Sequence, residues 1–386
     1  MEQRNLSIKL SGIYIAIYGA LACIYPFLIY YFQEKGLSYT EMGIIFATIS
    51  ITGVLTQPVW GFITDKYSNK RTIMMITMLL SAVFVYSLIP ATGFYFIMLS
   101  IILLMIFQSP VVPVTDAYSY EIIEQYKKMQ YGKIRLMGSF GYAIVALFMG
   151  YAVKYLGINS SYIVYSALML LGILLLRSID YKDKGLHKKI SFYGVVSLMK
   201  DKQFMLLLIS VMLTNIGNGS NGSYIPVLIE KTGGDVTQLG IVWFIIAISE
   251  LPAFYFGAKL IYQYGELNLY ILGVALFALR YFLDSLCSYY LPVLGIQLLQ
   301  GVTYTFYLLA SLQYLNKIVP ANMRTTAITL HAAAMGIGGA IGNIGGGMLL
   351  EHISIFMLYQ ILACNCIICL YVLIRLKRAS KKMGAC

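Results

Sequence analysis

Three residues between Pro113 and Tyr142, in PVTDAYSYEIIEQYKKMQYGKIRLMGSFGY, can hold a polar molecule within an otherwise apolar chain. Asp116 offers a carboxylate, Arg135 a guanidinium, and Tyr142 a ring on which a solute can stack. Long apolar runs lie on either side, and the turn between them carries Lys127, Lys128 and Lys133. If the runs are antiparallel helices folding back near Gln125 and Tyr126, Asp116 and Arg135 lie at similar depth. Arg135 and Tyr142 are seven residues apart and share a helix face. Gly138 lies between them on that face and leaves room for a ligand or another helix. Charges inside a membrane helix are expensive and mark either a pathway or a pair. Two readings stand: half of a solute site, or an ion pair that only locks two helices.

Other polar groups sit in apolar surroundings. Glu250 lies midway along an apolar run, where a lone carboxyl can take up and release a proton; its other reading is a structural partner for Arg280. Arg280 and Asp284 stand at i,i+4 and can pair with each other. Gln300, four residues before Tyr304, offers neutral hydrogen bonding. Asn215 and Asn218, three apart, can bond a solute or a neighbouring helix. The tyrosines of the first run, Tyr14, Tyr18, Tyr25, Tyr30 and Tyr31, can be core, interface belt or pocket lining. Of the tyrosines, Tyr18 and Tyr142 are the pocket candidates.

These groups need an apolar frame, and the composition supplies it. The chain has 386 residues, 59% hydrophobic and 11% charged, with mean hydropathy +0.77. A soluble core of that length cannot hide so much apolar surface. Runs of about twenty apolar residues recur, each long enough to cross about 30 Å of hydrocarbon. The expected fold is all-α and polytopic, with twelve transmembrane helices over 7–32, 40–63, 71–90, 93–120, 131–153, 159–178, 203–229, 237–258, 267–286, 290–316, 325–349 and 353–375. The longest polar interruption, from Ser178 to Lys202, separates six spans from six. That gives an N-terminal six-helix bundle at 1–178, a cytoplasmic linker at 179–202, and a C-terminal bundle with a basic tail at 203–386, the layout of an internally repeated transporter. Seven glycines between Gly336 and Gly347 let helices approach closely and also permit sliding and bending.

Lysine and arginine set the orientation. Of the 28, only Lys35, Lys154 and Lys231 fall in outer loops when the N-terminus is cytoplasmic, and Arg135 and Arg280 lie within the bilayer. The rest are on the inner side, which places both termini in the cytoplasm of a cell membrane protein. The net charge of +12 therefore argues topology rather than nucleic-acid binding. The six cysteines fall mostly in apolar runs and read as small buried hydrophobes; no metal site is expected. The first run, from near Ser7, lacks a small-residue cleavage site and reads as a retained helix. No nucleophile–base pair or nucleotide loop points to an enzyme or to ATP coupling.

Between the second and third spans the chain reads Gly61-Phe-Ile-Thr-Asp65-Lys66-Tyr-Ser-Asn-Lys70-Arg71. This resembles the G-x-x-x-D-[RK]-x-G-x-[RK] loop of the major facilitator superfamily, with Ser68 in place of the second glycine. Asp65, Lys66 and Arg71 suit a charged latch, in which Asp65 accepts from helix amides or an arginine. Within that superfamily the chain resembles lactose permease and the related sugar, nucleoside and phenylpropionate proton symporters. The resemblance rests on Gly43 to Lys66, on Pro113-x-x-Asp116-Ala117-Tyr118, and on Tyr131-Gly132-x-x-Arg135-x-x-Gly138. It implies two pseudo-symmetric six-helix bundles around a central cavity. It also implies that Asp116 and Arg135 bind the solute and that Tyr142 stacks on it, with Asp for Glu and Tyr for Trp. Glu250 matches the family's embedded glutamate and Arg280 its buried arginine. The proton-handling His and Glu of lactose permease fall at Gln300 and Thr303, its span 7 carboxylates are replaced by Asn215, Asn218 and Asn221, and Ala253 replaces a sugar-contacting Asn.

The resemblance thus implies a monomeric secondary active importer of a small polar solute. A sugar comes first, with nucleosides or aromatic acids as alternatives. The driving force is a proton gradient, with no cofactor and alternating access between the halves. Since Gln300 and Thr303 carry no proton at physiological pH, the coupled proton falls to Glu250, with Asp116 as the other embedded acid. An exporter of drugs or metabolites is a different class on the same fold. Span 5, GSFGYAIVALFMG, lacks the Gly-Pro signature of antiporters.

Overall fold

The computed structural model describes residues 2–67, 69–125, 129–179, 195–320 and 323–383. The side chains of Asp65 and Lys66 lie outside the described residues, as do Ser68, Lys127, Lys128 and the stretch 180–194 that holds most of the expected linker. Among the described residues the chain forms α-helices and short 3-10 turns, with no strand. The helices are α1 (Glu2–Ile24), α2 (Leu28–Glu34), α3 (Tyr39–Tyr67), α4 (Lys70–Phe84), α5 (Gly93–Gln108), α6 (Val111–Glu124), α7 (Tyr131–Leu156) and α8 (Asn159–Arg177). They continue as α9 (Val195–Lys200), α10 (Lys202–Lys231), α11 (Val236–Tyr264), α12 (Glu266–Ser285), α13 (Tyr290–Ile296), α14 (Leu299–Ile318), α15 (Arg324–Leu350) and α16 (Ile355–Met383).

Among the described residues, eleven stretches are long and apolar enough to cross a membrane. The one remaining expected span, the seventh at 203–229, is a helix of ample length: α10 has 30 residues. Asn215, Asn218, Asn221 and the glycines and serines around them keep its hydropathy below the other spans, and most of its residues are buried against neighbours.

Three expected spans are interrupted. The first breaks at a 3-10 turn, Tyr25–Phe27, that contains Pro26. The fourth breaks at Ser109–Pro110, between α5 and α6. Proline has no backbone N–H to continue the ladder and its ring crowds the preceding turn. The tenth breaks at Gln297–Leu298, between α13 and α14, with no proline at the break. Of the other nine, the third passes from α4 into a 3-10 turn at Val85–Leu88, and eight each coincide with one helix, give or take the fraying of its ends.

The described chain sorts into two compact units. One is built from α1, α2, α3 from Ile51 onward, α4 to α8, and α11 up to Ile248. In it α1 packs on α7 and α8. A side chain at Gly141 of α7 would lie 2.7 Å from the Ile15 carbonyl oxygen, so only glycine allows that approach. A buried ion pair, Lys70 Nζ to Glu121 Oε2 at 2.6 Å, ties α4 to α6. Arg71 donates instead to the Arg177 carbonyl at 2.6 Å.

The other unit takes α3 up to Ser50, α9, α10, α11 from Ser249, and α12 to α16. The glycine-rich stretch lies along α10: Cβ atoms at Gly338 and Gly342 would run into the backbone carbonyls of Met212 and Ile216. Close packing is what these two glycines provide, and Ser220 bonds the Gly342 carbonyl across the seam.

Candidate functional site

In the first unit the chain folds back between α6 and α7, bringing Asp116 beside Arg135. Arg135 Nε lies 3.7 Å from Asp116 Oδ1, and the two side chains are 30% and 29% exposed. At that separation they attract as ions without forming a hydrogen bond. The nearer partners come from α1. The Tyr14 hydroxyl donates to Asp116 Oδ1 at 2.7 Å, and Arg135 donates to the Tyr18 hydroxyl. The Arg135 guanidinium also lies over both rings, 4.1 Å from the Tyr18 centroid and 5.6 Å from that of Tyr14. Tyr14 and Tyr18 stand one turn apart and their rings stack at 6.4 Å. Tyr131 meets Tyr14 edge-on and stacks on Tyr120 at 3.9 Å.

The space expected at Gly138 is filled by another helix. A Cβ there would lie 2.7 Å from Cδ2 of Tyr18 and 3.3 Å from a nitrogen of Arg135. Tyr142, two turns beyond Arg135, meets Trp243 of α11 edge-on at 6.2 Å. The first unit thus presents a carboxylate and a guanidinium of opposite charge, half-exposed, framed by tyrosines. Tyr14, Tyr131 and Trp243 were not among the residues expected from sequence. The Tyr14–Tyr18 spacing of one turn is the signal that points to Tyr14; nothing local points to Trp243.

In the second unit, Glu250 of α11 sits where α14 crosses. The Gly301 amide donates to Ser249 Oγ at 3.1 Å. A Cβ at Gly301 would overlap the Ser249 carbonyl and lie 2.8 Å from the Glu250 amide nitrogen. This contact sets Gln300, itself buried with an unbonded Oε1, on the turn that meets Glu250. Glu250 is half-buried and lies within electrostatic reach of Arg280.

Arg280 is fully buried, and among the described residues none of its three guanidinium nitrogens has a hydrogen-bond acceptor. Its charge rests over the rings of Phe277 and Tyr281, at 5.2 and 5.0 Å. The direct pair expected between Arg280 and Asp284 is not formed. Asp284, also fully buried, takes Gln297 Nε2 on both oxygens at 3.2 Å. The break between α13 and α14 supplies that glutamine, which sequence spacing did not suggest.

The span 7 asparagines divide in role. Asn215 donates to the Tyr307 hydroxyl at 2.5 Å, and Asn221 accepts from Tyr359 at 3.0 Å. Both hold helices together. Asn218 is half-exposed and makes no hydrogen bond to the described residues.

Many apolar helices carrying charged groups at depth define a polytopic membrane protein. A family model described as the MFS_1 like family matches residues 7–361, and the chain belongs to that family, as a major facilitator transporter and not an enzyme. It is 28% identical over 369 residues to the uncharacterized transporter YwbF of Bacillus subtilis (strain 168), covering 93% of this chain and 90% of that protein. It is 26% identical over 373 residues to the maltose permease of Geobacillus stearothermophilus, covering 96% and 94%. Among solved structures it is similar in fold to the nucleoside transporter NupG, with TM-score 0.85, 16% identity, and coverage of 96% and 99%.

Proposed function

We propose that this transporter imports a small, uncharged polar solute, a sugar, by proton symport with alternating access. The observation that carries the reading is the Asp116–Arg135 pair among Tyr14 and Tyr18. Its charges cancel, so it does not select an ion. Its separation of 3.7 Å leaves hydrogen-bonding capacity on both partners for hydroxyl groups. Tyrosine rings beside it offer the flat, weakly polar surface on which a sugar's C–H face rests. The similarity to a maltose permease over 94% of that protein supports the same reading. Glu250 carries the coupled proton in this scheme. It is the carboxyl of the second unit that lies nearest mid-span, whereas Asp284 is held by Gln297. No cofactor enters the scheme. The protein works as a monomer in the cell membrane, with both termini cytoplasmic.

One observation favours a nucleoside as the second reading. The Tyr120–Tyr131 stack at 3.9 Å continues towards Tyr14, and such rings also suit a base. A thermal-unfolding screen of the purified protein with maltose, uridine and phenylpropionate separates the classes. A ligand at ten times its Kd stabilises the native state by about 1.4 kcal/mol. Maltose is expected to raise the midpoint, and Asp116→Asn to abolish the rise. A rise with uridine or phenylpropionate alone replaces the sugar reading.

A further inference from the structure

A cavity of about 490 Å³ opens between the first turns of α1 and α7, both in the first unit, and neither Asp116 nor Arg135 is among its lining residues. Its polar wall carries Arg4, Ser7, Gln130 and Lys133, and its apolar wall includes Ile8 and Met129. Among the described residues no carboxylate lines it.

The two cations differ from their neighbours in having no partner among the described residues. Lys9 donates to the Ser178 carbonyl at 2.6 Å, Arg71 to the Arg177 carbonyl at 2.6 Å, and Lys70 pairs with Glu121 at 2.6 Å. Arg4 and Lys133 are exposed and make no ion pair or hydrogen bond with the described residues. Two positive charges with no acidic partner among the described residues therefore converge on one cavity, with a hydroxyl and an amide beside them.

The depth of the cavity says what kind of anion fits. The helices of α1 and α7 that are long and apolar enough to cross a membrane begin at Gln3 and Tyr131, which puts the cavity at the starting ends of both. Ile8, 61% exposed, forms an open apolar part of the wall. A free inorganic anion has no use for that apolar wall, whereas a lipid uses both halves. We infer that this cavity holds the phosphate of an anionic lipid headgroup. Arg4 and Lys133 lie against its oxygens, Ser7 and Gln130 complete the donors, and the acyl chains pass over Ile8. Basic pockets between membrane helices favour anionic headgroups, and two cations at a charged surface correspond to a preference of about 30-fold over a zwitterionic lipid.

The test uses the full chain in nanodiscs of one part phosphatidylglycerol to four parts phosphatidylcholine, with retained lipid read by native mass spectrometry. The wild type is expected to retain phosphatidylglycerol preferentially. The Arg4→Gln/Lys133→Gln double variant should lose that preference, while Lys9→Gln, whose partner is the Ser178 carbonyl, should keep it. Lys133→Arg, which preserves the charge, should also keep it, which separates loss of charge from loss of folding. Inorganic phosphate added in excess should leave the lipid in place. Unchanged retention in the double variant overturns the site. Displacement of the lipid by inorganic phosphate overturns its assignment to a headgroup.

Discussion

Neutralising Asp116 and Arg135, singly and together, separates a solute grip from a helix lock. Unit charges 3.7 Å apart attract by about 4.5 kcal/mol at an effective dielectric of about 20. Partial exposure of both side chains screens part of that. Asp116→Asn also reduces the Tyr14 hydrogen bond from one with a charged acceptor, worth about 1.5–3 kcal/mol, to a neutral one of about 1 kcal/mol. Each single variant should therefore lose about 2–4 kcal/mol of stability, because it leaves one charge uncompensated at depth. Asp116→Asn/Arg135→Gln removes both charges and should return to within about 1 kcal/mol of the wild type. Uptake follows a different pattern. If the pair grips the solute, maltose uptake by proteoliposomes should be lost in both single variants and stay lost in the double variant. The assay is a thermal midpoint and an uptake rate on the same four preparations. Recovery of uptake together with stability in the double variant refutes the solute role and leaves the pair as a lock.

Other expectations follow from the packing. Gly301→Leu should abolish uptake and lower the thermal midpoint, because the Ser249 carbonyl and Glu250 amide are backbone and cannot yield; a wild-type midpoint would show that α14 and α11 separate freely. Gly138→Leu must displace the Tyr18 ring, so maltose-induced stabilisation should disappear; if it persists, Tyr18 is not part of the site. Lys70→Met removes the cation that pairs with buried Glu121 and should lower stability, with the loss reduced in Lys70→Met/Glu121→Leu; a thermal midpoint unmoved in the single variant contradicts a buried pair.

Much of the frame was legible because a bilayer demands long apolar runs, and these stand out without knowledge of neighbours. Where it was less legible, local chemistry explains why. The asparagines of α10 dilute its hydropathy, and Pro26 and Pro110 cut runs that hydrophobicity alone joins. The closeness of Asp116 and Arg135 followed from their similar distance to one turn. The one-turn spacing to Tyr18 points to Tyr14, but its bond to Asp116, more than a hundred residues away, is set by tertiary packing. Helical spacing suggested Arg280 with Asp284, yet Gln297, released by the break before α14, takes the aspartate. Spacing states which groups can meet and says nothing of a competitor arriving from another segment.

The proton is the point at which the proposed mechanism stands or falls, and Glu250→Gln tests it most directly. Glutamine keeps the shape and hydrogen bonding of a protonated glutamate but carries no proton. In proteoliposomes with an inside-alkaline pH gradient as the sole driving force, the wild type should concentrate maltose. The Glu250→Gln protein should still exchange labelled for unlabelled maltose across the membrane, and should fail to concentrate it. Accumulation by the Glu250→Gln protein under that gradient, or indifference of the wild type to it, contradicts proton coupling at this residue.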